Sequence, residues 1–120
     1  MGKSTALAEE TLKQYEIWWA DLPEPVGRRP VLLLSRDSAY RYLDRVIVVE
    51  ITTVIRDIPE EVRLGKEEGL ARRSVANLDN IHVVPTARLR RRAGVLGWRR
   101  IVELKRAFGH AVRWSELTGL

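Results

Sequence analysis

The sequence predicts a small, mainly β domain, an antiparallel barrel or sandwich that is followed by a C-terminal helix. Several apolar or β-branched runs of strand length follow one another, separated by polar or glycine-containing turns. The strands are expected to follow one another without long helices between them, which argues against a parallel βαβ arrangement. The last long segment carries apolar residues near helical spacing. The 120 residues, 45% of them hydrophobic, suffice for one domain with one core.

The first half of the chain contains the clearest strand signals. "EIWWADL" (residues 16–22) places Trp18 and Trp19 on opposite faces of a strand, so at most one ring is expected in the core. "PVLLLS" (residues 30–35) is typical of a strand buried on both faces, and its proline suits only the opening position. "RVIVVEITT" (residues 45–53) is the strongest β signal, because β-branched residues dominate it.

The second half is predicted to complete the sheet and end in the helix. Residues 54–64 include a half-exposed strand, and residues 72–85 carry one or two more. Residues 86–97, "TARLRRRAGVLG", are predicted to be a basic linking segment. Residues 98–114 form one amphipathic helix in this interpretation, frayed or interrupted at Gly109.

The beginning of the chain differs from the rest in composition. Residues 1–14 are interpreted as a polar extension that can form one or two helical turns, and residues 15–120 as the domain itself. The extension has no apolar secretory segment, so a cytoplasmic location is expected. No run approaches the ~18 apolar residues of a membrane span, so a membrane partner is not expected.

Composition narrows the chemistry that the chain can perform. The net charge of +5 favours an anionic partner. The absence of cysteine excludes disulfides, thiolate nucleophiles and cysteine zinc sites. His82 and His110 lie far apart without acids at ligand spacing, and no glycine-rich phosphate loop is present. Neither a metal nor another cofactor is therefore expected.

The residue types that remain, arginines, hydroxyls and a few carboxylates, are sufficient to cleave RNA. The ribose hydroxyl beside the scissile phosphate is a nucleophile that the substrate itself provides. A protein then has to position that hydroxyl, neutralise the phosphate oxygens and assist proton transfer. Arginine suits the second task because its planar, permanently charged fork matches a phosphate.

Three segments in order, "EIWWADLPEPVGRRPVLLLSRD", "VIVVEITT" and "SVANLDNIHVVP", resemble the MazF/PemK (Kid) toxins of bacterial type II toxin–antitoxin modules. The resemblance runs from about residue 16 to residue 108. It implies a small SH3-like or CcdB-like barrel that works as a homodimer. It also implies metal-independent cleavage of single-stranded RNA, often mRNA, at short sequences, leaving a 2′,3′-cyclic phosphate and a 5′-hydroxyl. A cognate antitoxin is expected to cover the site with an acidic segment, and DNA is expected to be contacted only through the antitoxin complex.

The family's catalytic residues can be carried over by position. The arginine before the strand-opening proline falls on Arg29, and the threonine after the third hydrophobic strand falls on Thr52. Arg29 would stabilise charge on the phosphate, and Thr52 would hold a phosphate oxygen or the ribose hydroxyl. The acid of the family's Leu-[Asp/Glu]-Gln-[Ile/Val]-Arg motif falls on Asp79, which is the predicted base.

RNA binding is assigned to five further residues: Arg28, Asn80, His82, Arg90 and Arg91. The sequence departs from the family in four places. The loop before the arginine pair is shorter than usual, Asn80 and His82 replace glutamine and arginine, and Tyr15 replaces a glycine. The extension of residues 1–14 is also unusual. These differences bear on sequence preference and rate more than on the class of reaction.

Plainer explanations exist for each of these residues. Arg28 and Arg29 could be solvated charges that protect a sheet edge, and Thr52 could be an ordinary strand residue. Asp79 equally suits a turn, and His82 a structural contact. Two other functions also stay open. A CcdB-like gyrase poison is disfavoured because those toxins end in Trp-Gly-Ile and this sequence ends in "SELTGL". A catalytically silent RNA- or protein-binding module is the second alternative.

Overall fold

A computed structural model describes residues 12–120 as one antiparallel six-stranded sheet, curled into a half-barrel, with a helix packed on one face. The strands are β1 (Glu16–Asp21), β2 (Arg28–Leu33), β3 (Arg45–Thr52), β4 (Glu61–Leu64), β5 (Ser74–Pro85) and β6 (Leu89–Val95). The helices are α1 (Ala39–Tyr42), α2 (Trp98–Val112) and α3 (Ser115–Thr118), with single 3₁₀ turns at Lys66–Glu68 and Thr86–Arg88. The spatial order of the strands is β4-β5-β3-β2-β1-β6.

The extension predicted for residues 1–14 lies mostly outside the described residues. Of its last residues, Leu12 is buried in the core, and Gln14 donates a side-chain hydrogen bond to the carbonyl of Leu34 at 2.8 Å. The boundary between extension and domain stays a prediction.

Strand β2 is buried on both faces from Val31 to Leu33, as its continuous apolar run predicts. Val31, Leu32 and Leu33 have no exposed surface, because each face of the sheet is covered. Trp18 is in the core, whereas Trp19 on the opposite face stays partly exposed. One apolar cluster includes Trp18, Val31, Leu33, Tyr40 and Val48, and the other includes Ile17, Leu32, Val49, Ile51 and Leu104 of α2.

Strand β2 begins two residues earlier than the sequence predicts. Pro30 is its third residue rather than its first. At that position β2 pairs only with β1, through Trp19, and pairing with β3 starts at Val31. A proline is tolerated there because its missing N–H removes no bond to β3.

The prediction that residues 86–97 are a linking segment is wrong. Most of this segment is β6, which pairs antiparallel with β1 and forms one edge of the sheet. The strand is hard to recognise in the sequence, because three consecutive arginines interrupt the alternation of apolar and polar residues. Two of these arginines are paired with acids of β1, since Arg90 bonds to Asp21 and Arg92 to Glu16. Charged side chains are common on edge strands.

The C-terminal helix is confirmed, but it runs without interruption through Gly109. This glycine allows the following short helix α3 to pack closely against α2. A Cβ at Gly109 would lie only 2.7 Å from the Cβ of Leu117. Trp114 also donates its N–H to the Gly109 carbonyl at 2.7 Å. None of the helices described between residues 12 and 120 is long and apolar enough to cross a membrane.

The turn after β4 reaches across to β6, at the opposite edge of the sheet. Gly69 in this turn has φ of +86°, a conformation that favours glycine. A Cβ at Gly69 would collide with the backbone of Ala93, and a Cβ at Gly94 would collide with the backbone of Glu68. These two glycines therefore permit the backbone contact that draws the edges of the curled sheet together.

Candidate active site

A cleft of about 300 Å³ opens at the end of the sheet where β2 begins, β3 ends and β5 begins. Arg29 and Thr52 both line it. Their proximity follows from strand register, because β2 and β3 pair antiparallel with Val31 opposite Glu50. Continuing that register by two residues places Arg29 opposite Thr52. The rest of the lining comprises Trp19, Arg28, Pro30, Ile51, Thr53, Leu70, Ala71, Arg72 and Ser74.

Arg29 is held from one side and open on the other. Its Nη1 donates a hydrogen bond to Oε1 of Glu50 on β3. The side chain keeps 32% of its surface exposed, and its other guanidinium nitrogens have no hydrogen-bond partner among residues 12–120. An arginine in this state can direct free N–H donors at a phosphate in the cleft.

Thr52 is the last residue of β3 and presents its hydroxyl where the strand turns away. Its Oγ1 accepts a hydrogen bond from the N–H of Val54 at 3.2 Å. The hydroxyl hydrogen is not used in that contact, so it can still be donated to an oxygen of a ligand. Arg29 and Thr52 are thus the two sequence-predicted catalytic residues that the structure brings together.

Asp79, the predicted base, does not line the cleft. Residues 77–80 of β5 form an irregular bulge that does not pair with β3, since Ile51 pairs with Ala76 whereas Val49 pairs with Ile81. Asp79 is exposed on this bulge, and its N–H donates a hydrogen bond to the side chain of Asn77 at 2.9 Å. In the described part of the chain its carboxylate has no hydrogen-bond or ion-pair partner. Asn80 is exposed beside it.

Glu50, which the sequence alone does not single out, holds Arg29 at the site although it does not itself line the cleft. Its side chain is only 9% exposed in the middle of the apolar strand β3. Besides Arg29, it contacts His82 of β5, whose Nε2 lies 2.9 Å from its Oε2. The available signal was the alternation of Val46, Val48 and Glu50, which places a carboxylate at an inward position.

Two arginines assigned to RNA binding share one carboxylate. Asp21 at the end of β1 bonds to Nε of Arg28 at 3.0 Å and to Nε of Arg90. The Arg28 and Arg90 guanidinium groups hold the pKa of Asp21 below its usual value. This carboxylate ties β2, β1 and β6 together beside the cleft, and Arg28 still exposes 65% of its side chain there.

Trp19 and Arg91 lie next to each other at the cleft. The guanidinium carbon of Arg91 is 6.0 Å from the centroid of the Trp19 ring, at the outer limit of a cation–π contact. Trp19 lines the cleft, so the site combines an aromatic face with nearby positive charge. Within residues 12–120 no group of three His, Asp or Glu side chains is arranged to hold a metal ion.

The chain is similar to known proteins of one family. A family model described as "PemK-like, MazF-like toxin of type II toxin-antitoxin system" matches residues 13–112. A curated protein of Mycobacterium tuberculosis, named "Probable endoribonuclease MazF5", is 44% identical over 82 residues. That alignment covers 68% of this chain and 74% of the relative.

Solved structures share the fold over most of the chain. The "Mycobacterium tuberculosis toxin MazF-mt6" matches with a TM-score of 0.77 and 34% identity, covering 82% of this chain and 96% of that one. A mycobacterial endoribonuclease in complex with its cognate antitoxin matches in fold, with a TM-score of 0.78 and 24% identity, over 87% of this chain and 97% of its own. The predicted mainly β fold with a C-terminal helix is confirmed. The chain belongs to the PemK/MazF family of toxins of type II toxin–antitoxin systems.

Proposed function

We propose that this protein is the toxin of a type II toxin–antitoxin module, and that it cleaves single-stranded RNA, including mRNA, in the cytoplasm without a metal ion. The observation that carries the proposal is the meeting of Arg29 and Thr52 from neighbouring strands in one cleft. Family membership and the endoribonuclease names of the relatives support it.

The cleft residues fit a reaction in which RNA provides the nucleophile. The ribose 2′-hydroxyl attacks the adjacent phosphorus, and the bond to the 5′-oxygen breaks. Arg29 neutralises the negative charge that accumulates on the phosphate oxygens. The Thr52 hydroxyl donates a hydrogen bond to a phosphate oxygen or positions the ribose hydroxyl. The products are a 2′,3′-cyclic phosphate and a free 5′-hydroxyl.

The surroundings of the cleft fit a nucleic-acid strand. Arg28 at the rim and Arg91 beside Trp19 supply charge for phosphates, and the Trp19 ring offers a face on which a base can stack. Asn80 and Arg90 extend this RNA-binding surface in the proposal. Because phosphate contacts position more than they specify, base preference has to come from loops around the cleft.

The basic cleft also suits an acidic inhibitor. We assign to the cognate antitoxin an acidic segment that lies over Arg29 and Arg28 and blocks RNA. The toxin acts as a homodimer in this proposal, and DNA is contacted only through the antitoxin complex.

The experiment that tests the proposed function uses a long single-stranded RNA in EDTA. Purified wild-type protein is compared with Arg29→Ala, and Arg63→Ala serves as control because Arg63 is an exposed arginine paired with Asp57 outside the cleft. We expect discrete cuts with the wild type and with Arg63→Ala. Cutting is expected to be lost with Arg29→Ala.

The same experiment separates the alternatives. Tight RNA binding without cutting by the wild type would contradict the enzymatic proposal and favour a silent binding module. Equal cutting by the wild type and Arg29→Ala would show that the cleft is not the active site. A gyrase poison has no support from the family match.

A further inference from the structure

Glu50 is a buried carboxylate with both oxygens in use. It sits on the central strand β3, flanked on its own face by the fully buried Val48 and paired across to Val31. A carboxylate removed from water is costly unless it is paired and hydrogen-bonded. Arg29 satisfies Oε1 from β2, and His82 satisfies Oε2 from β5 at 2.9 Å. Glu50 therefore joins three strands through one charged centre.

The contact to Glu50 dictates the protonation pattern of His82. A carboxylate accepts hydrogen bonds, so Nε2 of His82 carries the hydrogen in this contact. In neutral imidazole the other nitrogen, Nδ1, then has a free lone pair. Nδ1 has no hydrogen-bond partner among residues 12–120, and 35% of the side chain is exposed. A histidine whose tautomer is fixed by a carboxylate is the arrangement of a general base.

His82 does not itself line the cleft, and it is linked to the cleft through Glu50, the carboxylate that it shares with Arg29. Arg29 and His82 bond to the two oxygens of the same carboxylate, so their side chains flank it as neighbours. The charged groups at this cluster are Glu50 on β3 and Arg29 on β2. Strand β4 pairs with β5 only from Ser74 to Asn77, so β5 has no β4 neighbour at His82.

We infer that His82 is the general base of the RNA cleavage and that Glu50 is its positioning residue, an inference that rests on the proposed endoribonuclease function. His82 Nδ1 takes the proton of the ribose 2′-hydroxyl while that oxygen forms its bond to phosphorus. The bond from phosphorus to the 5′-oxygen breaks with its electron pair, and water protonates the released oxygen. His82 then returns its proton to solvent. Arg29 stabilises the phosphate throughout.

The variant that separates catalysis from structure is His82→Gln. A glutamine side-chain amide can still donate to Glu50 but cannot accept a proton near neutral pH. We expect a single-turnover cleavage rate about 100-fold or more below wild type, in the range of lost general-base catalysis. Binding of a 2′-deoxy substrate analogue is expected to change by less than about threefold, because phosphate contacts dominate affinity. A purely structural His82 would leave His82→Gln active.

Three companion measurements make the test specific. His110→Ala removes the second histidine of the sequence, which lies on α2, and this variant is expected to cleave like wild type. His82→Ala is expected to regain activity when imidazole is added. In Glu50→Gln the cleavage rate is expected to fall at least about tenfold, and by more than the affinity for the 2′-deoxy analogue, because His82 loses the carboxylate that orients it.

The outcomes that overturn the inference differ from those that overturn the proposed function. Cleavage by His82→Gln within about fivefold of wild type, with an unchanged pH profile, would overturn it, since general-base removal costs far more. Loss of cleavage in Asp79→Asn but not in His82→Gln would also overturn the inference, because it would identify Asp79 as the base. If wild-type protein fails to cut RNA at all, the proposed function fails first, and this inference fails with it.

Discussion

Arg29, near the start of β2, donates a hydrogen bond to the buried carboxylate of Glu50 on β3. The same carboxylate contacts His82 on its other oxygen. Glu50 thus neutralises the arginine in the RNA-free protein and fixes one edge of its guanidinium, while the remaining edge faces the cleft. A phosphate entering the cleft meets a donor whose orientation is already set, which lowers the entropic cost of the interaction.

Replacing Glu50 should separate stability from activity. In Glu50→Leu an apolar side chain fills an apolar strand, and Arg29 is exposed enough to be hydrated. Removing one partner of a fully buried ion pair costs about 3–5 kcal/mol, because the remaining charge is left uncompensated. Arg29 and His82 keep 32% and 35% of their side chains exposed, so we expect the free energy of unfolding, measured in urea, to fall by less than that. RNA cleavage should nevertheless fall by at least about tenfold, because Arg29 and His82 lose their orientation. A large loss of stability would contradict this account of Glu50.

Trp19 is expected to bind a base of the RNA. Stacking of a base on an aromatic side chain contributes about 1–3 kcal/mol, so Trp19→Ala should weaken binding of a 2′-deoxy analogue by roughly 5- to 150-fold. Trp19→Phe should recover much of the affinity. Trp98→Ala is the control, since Trp98 is 71% exposed on α2 and does not line the cleft. Equal effects of the two alanine variants would argue against stacking at Trp19.

The contact between Gly69 and Gly94 should be sensitive to a single methyl group. In Gly94→Ala the new Cβ meets the backbone of Glu68, which cannot move aside as a flexible side chain can. We expect a destabilisation of about 3 kcal/mol or more, at the upper end of overpacking effects. Gly97→Ala should cost about 1 kcal/mol or less, roughly the difference between glycine and alanine at a helix N-cap, because no atom lies near its Cβ. Chemical denaturation of both variants checks the contrast.

The Asp21 bridge should contribute stability that depends on pH. Because Arg28 and then Arg90 lower its pKa in the folded protein, Asp21 favours folding above its ordinary pKa of 3.8. That contribution is lost as the pH falls through the lower folded pKa. Asp21→Asn should therefore have a lower melting temperature than wild type at pH 7. The difference should close below pH 3.8.

A matched variant controls for the loss of a surface carboxylate. Asp57→Asn removes the partner of Arg63 from a pair in which the aspartate is 79% exposed. Exposed pairs contribute little, so this variant should melt like wild type throughout the pH range. A gap between wild type and Asp21→Asn that stays constant down to low pH would contradict the ionic origin of the effect.

Much of the fold could be predicted from the sequence, because the central strands carry their signal locally. The apolar run of β2 predicts burial on both faces, which the structure confirms for Val31, Leu32 and Leu33, and the β-branched run of residues 45–53 predicts the strand β3. Strand β6 could not be recognised because Arg90 and Arg92 are compensated by Asp21 and Glu16, acids far away in the sequence. Such compensation becomes visible only when the strands pair.

The candidate site was predictable to a similar extent. Arg29 and Thr52 were identified from the resemblance, and the register of β2 and β3 accounts for their meeting in one cleft. The alternation with Val46 and Val48 marks Glu50 as an inward-facing carboxylate, but a single acid inside a β-branched run does not reveal what it binds. Its meaning depends on Arg29 and His82, which reach it from two other strands.

In the proposed reaction RNA is cleaved through its own ribose hydroxyl, without a metal ion. The most direct measurement uses a short RNA that contains one mapped cleavage site, in EDTA, with a second copy that lacks only the 2′-hydroxyl at that site. Mass spectrometry identifies the product ends. We expect a 2′,3′-cyclic phosphate and a 5′-hydroxyl from the first RNA and no cutting of the second. Products with a 5′-phosphate, or cutting of the 2′-deoxy RNA, would contradict the proposed reaction.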